Sequence, residues 1–137
     1  HQGAICAESG HINAHETGAL ESVGHKCLTL PTSNGKITAK QVDTLIQEHY
    51  SDASSEHTVQ PGIVYISFPT ETGTLYSKQE LTELYTVCQN HNIPLFIDGA
   101  RLGYGLVAKK NDVTFEDIAN LCDVCYIGGT KVGALFG

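Results

Sequence analysis

Apolar and polar positions along the chain sort it into strands and helices that take turns. Gly3 to Ala7 (GAICA) is a short apolar run of strand type, followed by a polar turn through Glu8, Ser9 and Gly10. Glu16 to Val23 reads as a short helix closed by Gly24, and Lys26 to Leu30 as a second strand. Pro31 and the turn residues Ser33-Asn34-Gly35 stop that strand. Thr38 with Gln41 three positions on is a capping-box signal, and Val42, Leu45 and Ile46 then form a helical stripe. Ser51 to Gln60 is polar and reads as a surface loop.

The second half repeats the alternation. Gly62 to Phe68 (GIVYISF) is a continuous β-favouring run, as expected of a strand covered on both faces. Ser77 with Glu80 is another capping box, and Leu81, Leu84, Tyr85 and Cys88 mark the buried side of the helix it opens. Pro94 to Ile97 is the next strand, ending at Asp98. Thr114 starts a short helix carrying Phe115, Ile118 and Ala119, and Asp123 to Ile127 is the last strand. The pattern predicts an α/β domain with a mainly parallel sheet and flanking helices.

A parallel sheet binds ligands outside the carboxyl ends of its strands, so the residues that follow each strand carry the chemistry. The first strand leads to Glu8 and His11, the third to Pro69-Thr70-Glu71. The fourth ends in Asp98-Gly99-Ala100-Arg101 and the fifth in Gly128-Gly129-Thr130-Lys131. Singly, each has a plain structural use: Asp98 as a helix cap, Arg101 as an ion-pair partner, His11 as a surface residue. The GGTK stretch lacks the spacing of a P-loop. Lys131 is an odd choice after an apolar run, because an ammonium buried without a partner is costly. Together the groups suit one chemistry. A lysine amine forms a Schiff base with an aldehyde cofactor, and an aspartate keeps that cofactor's pyridine nitrogen protonated, as in pyridoxal phosphate (PLP) enzymes.

Four segments, SGHINAHETGA, SFPTETGTLYS, IPLFIDGARLGYGL and DVCYIGGTKVGALFG, resemble the threonine aldolase and β-eliminating lyase group of fold-type I PLP enzymes. They cover most of the chain, in that family's order. The resemblance implies the fold of the aspartate aminotransferase-like large domain, pyridoxal 5'-phosphate as cofactor, and Lys131 as the residue that carries it. It further implies Asp98 at the pyridine nitrogen, His11 stacked on the ring and aiding proton transfer, and Arg101 at the substrate carboxylate and the cofactor. Thr130 would support the phosphate or the lysine. Many threonine aldolases have Thr-His after the third strand where this chain has Thr70-Glu71, which leaves the role of Glu71 open.

Composition narrows the classes. With 41% hydrophobic and 17% charged residues in 137, one packed domain is expected. A net charge of -7 offers no basic stripe for a nucleic acid, and no stretch approaches the roughly 20 apolar residues of a bilayer span. Five cysteines at irregular spacing suggest free thiols in a reducing cytoplasm. Cys122-x2-Cys125 lacks a second ligand pair and reads as core rather than as a zinc site. The chain has no methionine, so it is expected to be a piece of a longer polypeptide, and the resemblance implies that this piece is the central part of a PLP-binding large domain. By resemblance, a phosphate-binding segment precedes it and a small C-terminal domain follows, in a parent that forms a homodimer or homotetramer.

The leading expectation is therefore a PLP-dependent L-threonine aldolase, splitting a 3-hydroxy amino acid into glycine and an aldehyde. The alternatives are β-elimination by the same apparatus, and a non-catalytic assembly module. This stretch alone is expected to be inactive.

Overall fold

The computed structural model describes residues 1–136. Five strands form one sheet: β1 (Gln2–Ala7), β2 (Lys26–Leu30), β3 (Gln60–Ser67), β4 (Leu95–Gly99) and β5 (Val124–Ile127). Their order is β2-β1-β3-β4-β5, and every neighbouring pair is parallel. All five carboxyl ends therefore lie on one edge, as the alternation predicted. The chain reverses direction across the sheet between β1 and β3, the kind of place where α/β sheets open a crevice.

Alternate strand residues build the core. Ile5, Ala7, Val64, Ile66, Leu95 and Ile97 point to one face and are almost wholly buried. On that face pack α3 (Ala39–Ser51) through Val42 and Ile46, and α4 (Lys78–Asn90) through Leu81, Leu84 and Cys88. The shorter α5 (Leu102–Leu106) and α6 (Phe115–Asn120) add Leu102 and Ile118 to the same cluster. Both predicted capping boxes are formed, Thr38 with Gln41 and Ser77 with Glu80, and Thr114 makes a third with Asp117. Each satisfies backbone N–H groups that a helix start otherwise leaves unpaired. The Lys36 ammonium reaches Glu80 at 2.6 Å and the Leu75 carbonyl at 3.1 Å, tying the segment before α3 to the start of α4.

Three expectations need correction. The helix expected over Glu16 to Val23 is confined to α2 (Ala19–Ser22), and a further, unexpected short helix, α1 (His11–Ala14), precedes it. Thr17 (φ 52°) and Gly18 (φ 73°) are left-handed between them, which no continuous right-handed helix tolerates. The loop over Ser51 to Gln60 is shorter, with α3 running to Ser51, a 3-10 turn at Ser55–His57 and β3 starting at Gln60. Nor is β3 covered on both faces. The helices α1 and α2 lie over the β1–β2 side, while Ile63 and Tyr65 of β3, with Phe96 of β4 and Tyr126 of β5, stay partly open to solvent. Tyr65 and Phe96 stack at 5.0 Å between centroids, and Tyr126 meets Phe96 edge-on at 5.4 Å.

All five cysteines are free thiols. Cys6 and Cys88 are wholly buried, and burial pushes each thiol up to about 12. Cys122 and Cys125 are half-buried against the core, and among the described residues no His/Cys/Asp/Glu group is arranged for a metal.

Candidate active site

Asp98 is the penultimate residue of β4 and only 5% exposed. Its Oδ1 accepts the Ala100 N–H at 2.9 Å, so its carboxylate does bridge into the following turn. Its Oδ2 accepts the Tyr65 hydroxyl at 2.9 Å, and the Tyr65 and Tyr126 hydroxyls lie 3.1 Å apart. Burial, the Tyr126 bond and the Asp98 charge all raise the Tyr65 phenol. Burial, with the Asp98 charge assisting, pushes Tyr126 up to about 12. Both phenols thus keep their protons near neutrality and donate into a chain that ends on Asp98. The sequence reading missed these tyrosines. Their signal was register, since Asp98 pairs with Tyr126 across the β4–β5 ladder.

Lys131 stands in a 3-10 turn, Thr130–Val132, just beyond β5. It is exposed, not buried, and among the described residues no carboxylate or hydrogen-bond partner holds its amine. Two glycines bring this turn beside Asp98. A Cβ on Gly99 would collide with the Tyr126 carbonyl oxygen, and one on Gly128 would sit 2.6 Å from the Ala100 carbonyl oxygen. Only residues without a side chain let the carboxyl ends of β4 and β5 approach so closely.

His11 opens α1, with its backbone N–H donating to Glu71 Oε1 at 3.0 Å and its Nδ1 lying 2.7 Å from Glu16 Oε1. Glu71 Oε1 also accepts the Ser67 hydroxyl at 2.6 Å, so this carboxylate joins the ends of β1 and β3. Arg101 is half-buried after β4 and, like Lys131, has no carboxylate within 4.0 Å among the described residues.

These side chains meet. His11, Glu16, Asp98, Arg101, Tyr126 and Lys131 line one cleft of ≈ 90 Å³ at the carboxyl edge. Thr130 begins the lysine's turn, is exposed, and is not part of the cleft wall. Arg101 also borders a larger cavity of ≈ 440 Å³, walled by the loop after β3 including Glu71 and by Tyr104. Asp98 is buried and held by two hydrogen bonds, while Arg101 and Lys131 have no carboxylate within 4.0 Å among the described residues.

Over residues 1–135 the sequence matches the beta-eliminating lyase family. The chain belongs to that family. Among its relatives, a low specificity L-threonine aldolase of a Pseudomonas species is 32% identical over 97% of the chain. The chain spans 38% of that enzyme's length. A solved structure of Leishmania major threonine aldolase superposes with a TM-score of 0.92 at 46% identity, over 99% of the chain and 39% of the solved one. An aminotransferase from Mycobacterium tuberculosis, 16% identical, superposes with a TM-score of 0.59 over 86% of this chain and 29% of its own. At that identity the likeness concerns the fold alone, the fold-type I architecture that the resemblance implied.

Proposed function

We propose that the intact protein is a PLP-dependent L-threonine aldolase, cleaving a 3-hydroxy amino acid to glycine and an aldehyde. The observation that carries this reading is the joint presence of Lys131, Asp98, His11 and Arg101 on one cleft. The donor set suits the cofactor. Lys131 supplies a primary amine without a partner among the described residues, as attachment to an aldehyde requires. Asp98 accepts two hydrogen bonds, of about four that a carboxylate can take, and so has capacity left for a ring N–H.

When bound, the cofactor supplies an electron sink for the pair released as the substrate's Cα–Cβ bond breaks. The chain's own residues do the rest. Lys131 would hold the cofactor, and Asp98 would stabilise the proton on its ring nitrogen. Arg101 binds the substrate carboxylate, a task suited to its fixed fork of donors. His11 accepts the proton of the 3-hydroxyl at Nε2. Thr130 would back the lysine from outside the cleft wall. Glu71, bonded to Ser67 and to the His11 backbone, shapes the loop rather than standing in for a second imidazole. A homodimer or homotetramer and a reducing, cytoplasmic setting complete the reading, the latter in keeping with five free thiols.

β-Elimination is the second reading, favoured by the family to which the chain belongs. Product analysis on the purified intact protein decides. Glycine and acetaldehyde from L-threonine support the aldolase, whereas pyruvate and ammonia from L-serine or L-cysteine, without aldehyde, would replace it with elimination. Loss of both activities would defeat the enzyme reading altogether.

A further inference from the structure

Among the residues of the cleft, Glu16 has no role in the reading above, yet it makes the shortest contact there. We infer that Glu16 is a positioning residue that fixes the proton of His11 on Nδ1 and leaves Nε2 as the acceptor facing the chemistry. An ionised carboxylate can only accept, so at 2.7 Å from Glu16 Oε1 the Nδ1 atom must be the donor. The opposite ring nitrogen, Nε2, has no hydrogen-bond partner among the described residues. Glu71 completes the hold from the other side by accepting the His11 backbone N–H at 3.0 Å. One carboxylate anchors the residue's main chain and the other sets its ring. The neighbouring His15 ring, 5.5 Å away and tilted by 48°, packs beside the imidazole without a hydrogen bond that would compete.

The local fold explains why Glu16 can reach back. The helix α1 ends at Ala14, and its C-cap His15 (φ −134°, ψ 9°) has left helical geometry before Glu16 is reached. A continuous helix through this stretch would place residues five apart roughly 500° around the axis, away from a shared face. The early end of α1 at His15 is therefore what lets Glu16 turn back onto His11.

The clamp rests on the aldolase reading for its purpose, but its geometry can be tested apart from it. The first measurement is the long-range proton–nitrogen correlation of His11 in the intact protein, at a pH where the ring is neutral, assigned through His11→Asn. The expected pattern has a protonated Nδ1 and a bare Nε2. Glu16→Leu should shift the ring toward the Nε2–H form, while Glu16→Gln, which retains an acceptor oxygen, should restore most of the original pattern. In turnover of L-threonine, Glu16→Leu should lower kcat about tenfold with little change in KM, part of what a placed acid–base group contributes, and Glu16→Gln should lose less. A wild-type ring protonated on Nε2, or a pattern unmoved by Glu16→Leu, overturns the clamp. A shifted pattern with unchanged kcat overturns its service to catalysis. Absence of aldol cleavage in a wild type whose nitrogen pattern is as expected defeats the aldolase reading instead, and the clamp stands.

Discussion

The two sides of the cleft are built to different standards. On the β4 side, Asp98 is buried, accepts two hydrogen bonds and sits on a strand whose alternate residues are fully packed by helices. On the β5 side, Lys131 projects from a short turn with no side-chain partner, after an edge strand whose Val124, Tyr126 and Ile127 are all exposed. The first side is fixed before any ligand arrives. The second is positioned only by backbone, through the close approaches at Gly99 and Gly128. Under the proposed function, a carboxylate that faces one ring nitrogen gains from rigidity, while an amine that forms and releases a covalent bond needs freedom to move. The contrast predicts that substitutions at the two sides will separate activity from stability.

The largest effect is expected at Lys131. Lys131→Ala in the intact protein should reduce turnover by roughly a thousandfold or more, since no other amine lines the cleft. The thermal midpoint should barely move, because an exposed side chain without partners contributes within about 0.5 kcal/mol. Normal turnover, with a cofactor still reducible onto the protein by borohydride, would remove Lys131 from its role. Asp98→Ala should damage both properties. It leaves the Ala100 N–H without its acceptor and cuts the tyrosine hydroxyls off from their terminal acceptor, at a cost of about 2 kcal/mol, and under the proposed function it removes the charge that would face the ring nitrogen. Asp98→Glu should be milder in turnover, and equal small losses in the two variants would reduce Asp98 to a structural cap.

A third substitution joins the two sides. Gly128→Ala forces a Cβ against the Ala100 backbone, 2.6–2.9 Å away, where nothing flexible can yield. A loss of about 1–3 kcal/mol in denaturant unfolding is expected, together with reduced turnover as the lysine turn shifts from Asp98. Full turnover in a stable variant would mean that the β4–β5 approach is not what places Lys131. The smallest effect belongs to the helix-covered face. The Lys78 ammonium, 2.7 Å away, and then the Thr114 N–H and hydroxyl hold the Asp117 carboxyl down at about 2, below its ordinary 3.8. A lowered carboxyl contributes stability above its ordinary value and loses it as pH falls toward 2. Lys78→Met should therefore raise the acid-unfolding midpoint followed by circular dichroism, with no change in turnover at neutral pH. Coincident acid transitions would show that the pair contributes nothing.

How far the sequence foretold this arrangement depended on the range of the interaction. The five strands and the capping boxes at Thr38 and Ser77 are local signals, and they appear within one or two residues of their expected places. Asp98, Arg101, His11 and Lys131 could be named because strand ends in a parallel sheet share an edge whatever the detail. The break at Thr17-Gly18 escaped notice, since threonine rarely takes a left-handed conformation and gives no warning of it. The short helix over Leu102–Leu106, with glycines at Gly103 and Gly105, has too weak a helical propensity to be read locally. Its Gly105 is needed because a Cβ there would meet Phe68 and Pro69 at 2.8 and 3.0 Å. The partners of Asp98 and of His11 were hidden for a different reason. They depend on strand register and on side-chain reach, which no spacing along the chain encodes.

The distribution of thiols gives the molecule a built-in record of its own opening. Alkylating reagents attack thiolate, so the buried Cys6 of β1 and Cys88 of α4, both pushed up to about 12, are almost inert while the sheet is closed. Cys122 and Cys125 lie at the start of the edge strand and are only half-buried; burial raises both thiols, Cys122 to about 11, but a local opening of β5 is enough to expose them. Labelling of the last two therefore times local excursions at the lysine side of the cleft. Labelling of Cys6 and Cys88 times the rarer disruption of the central layer, and the ratio of the two rates measures how independently the edge breathes.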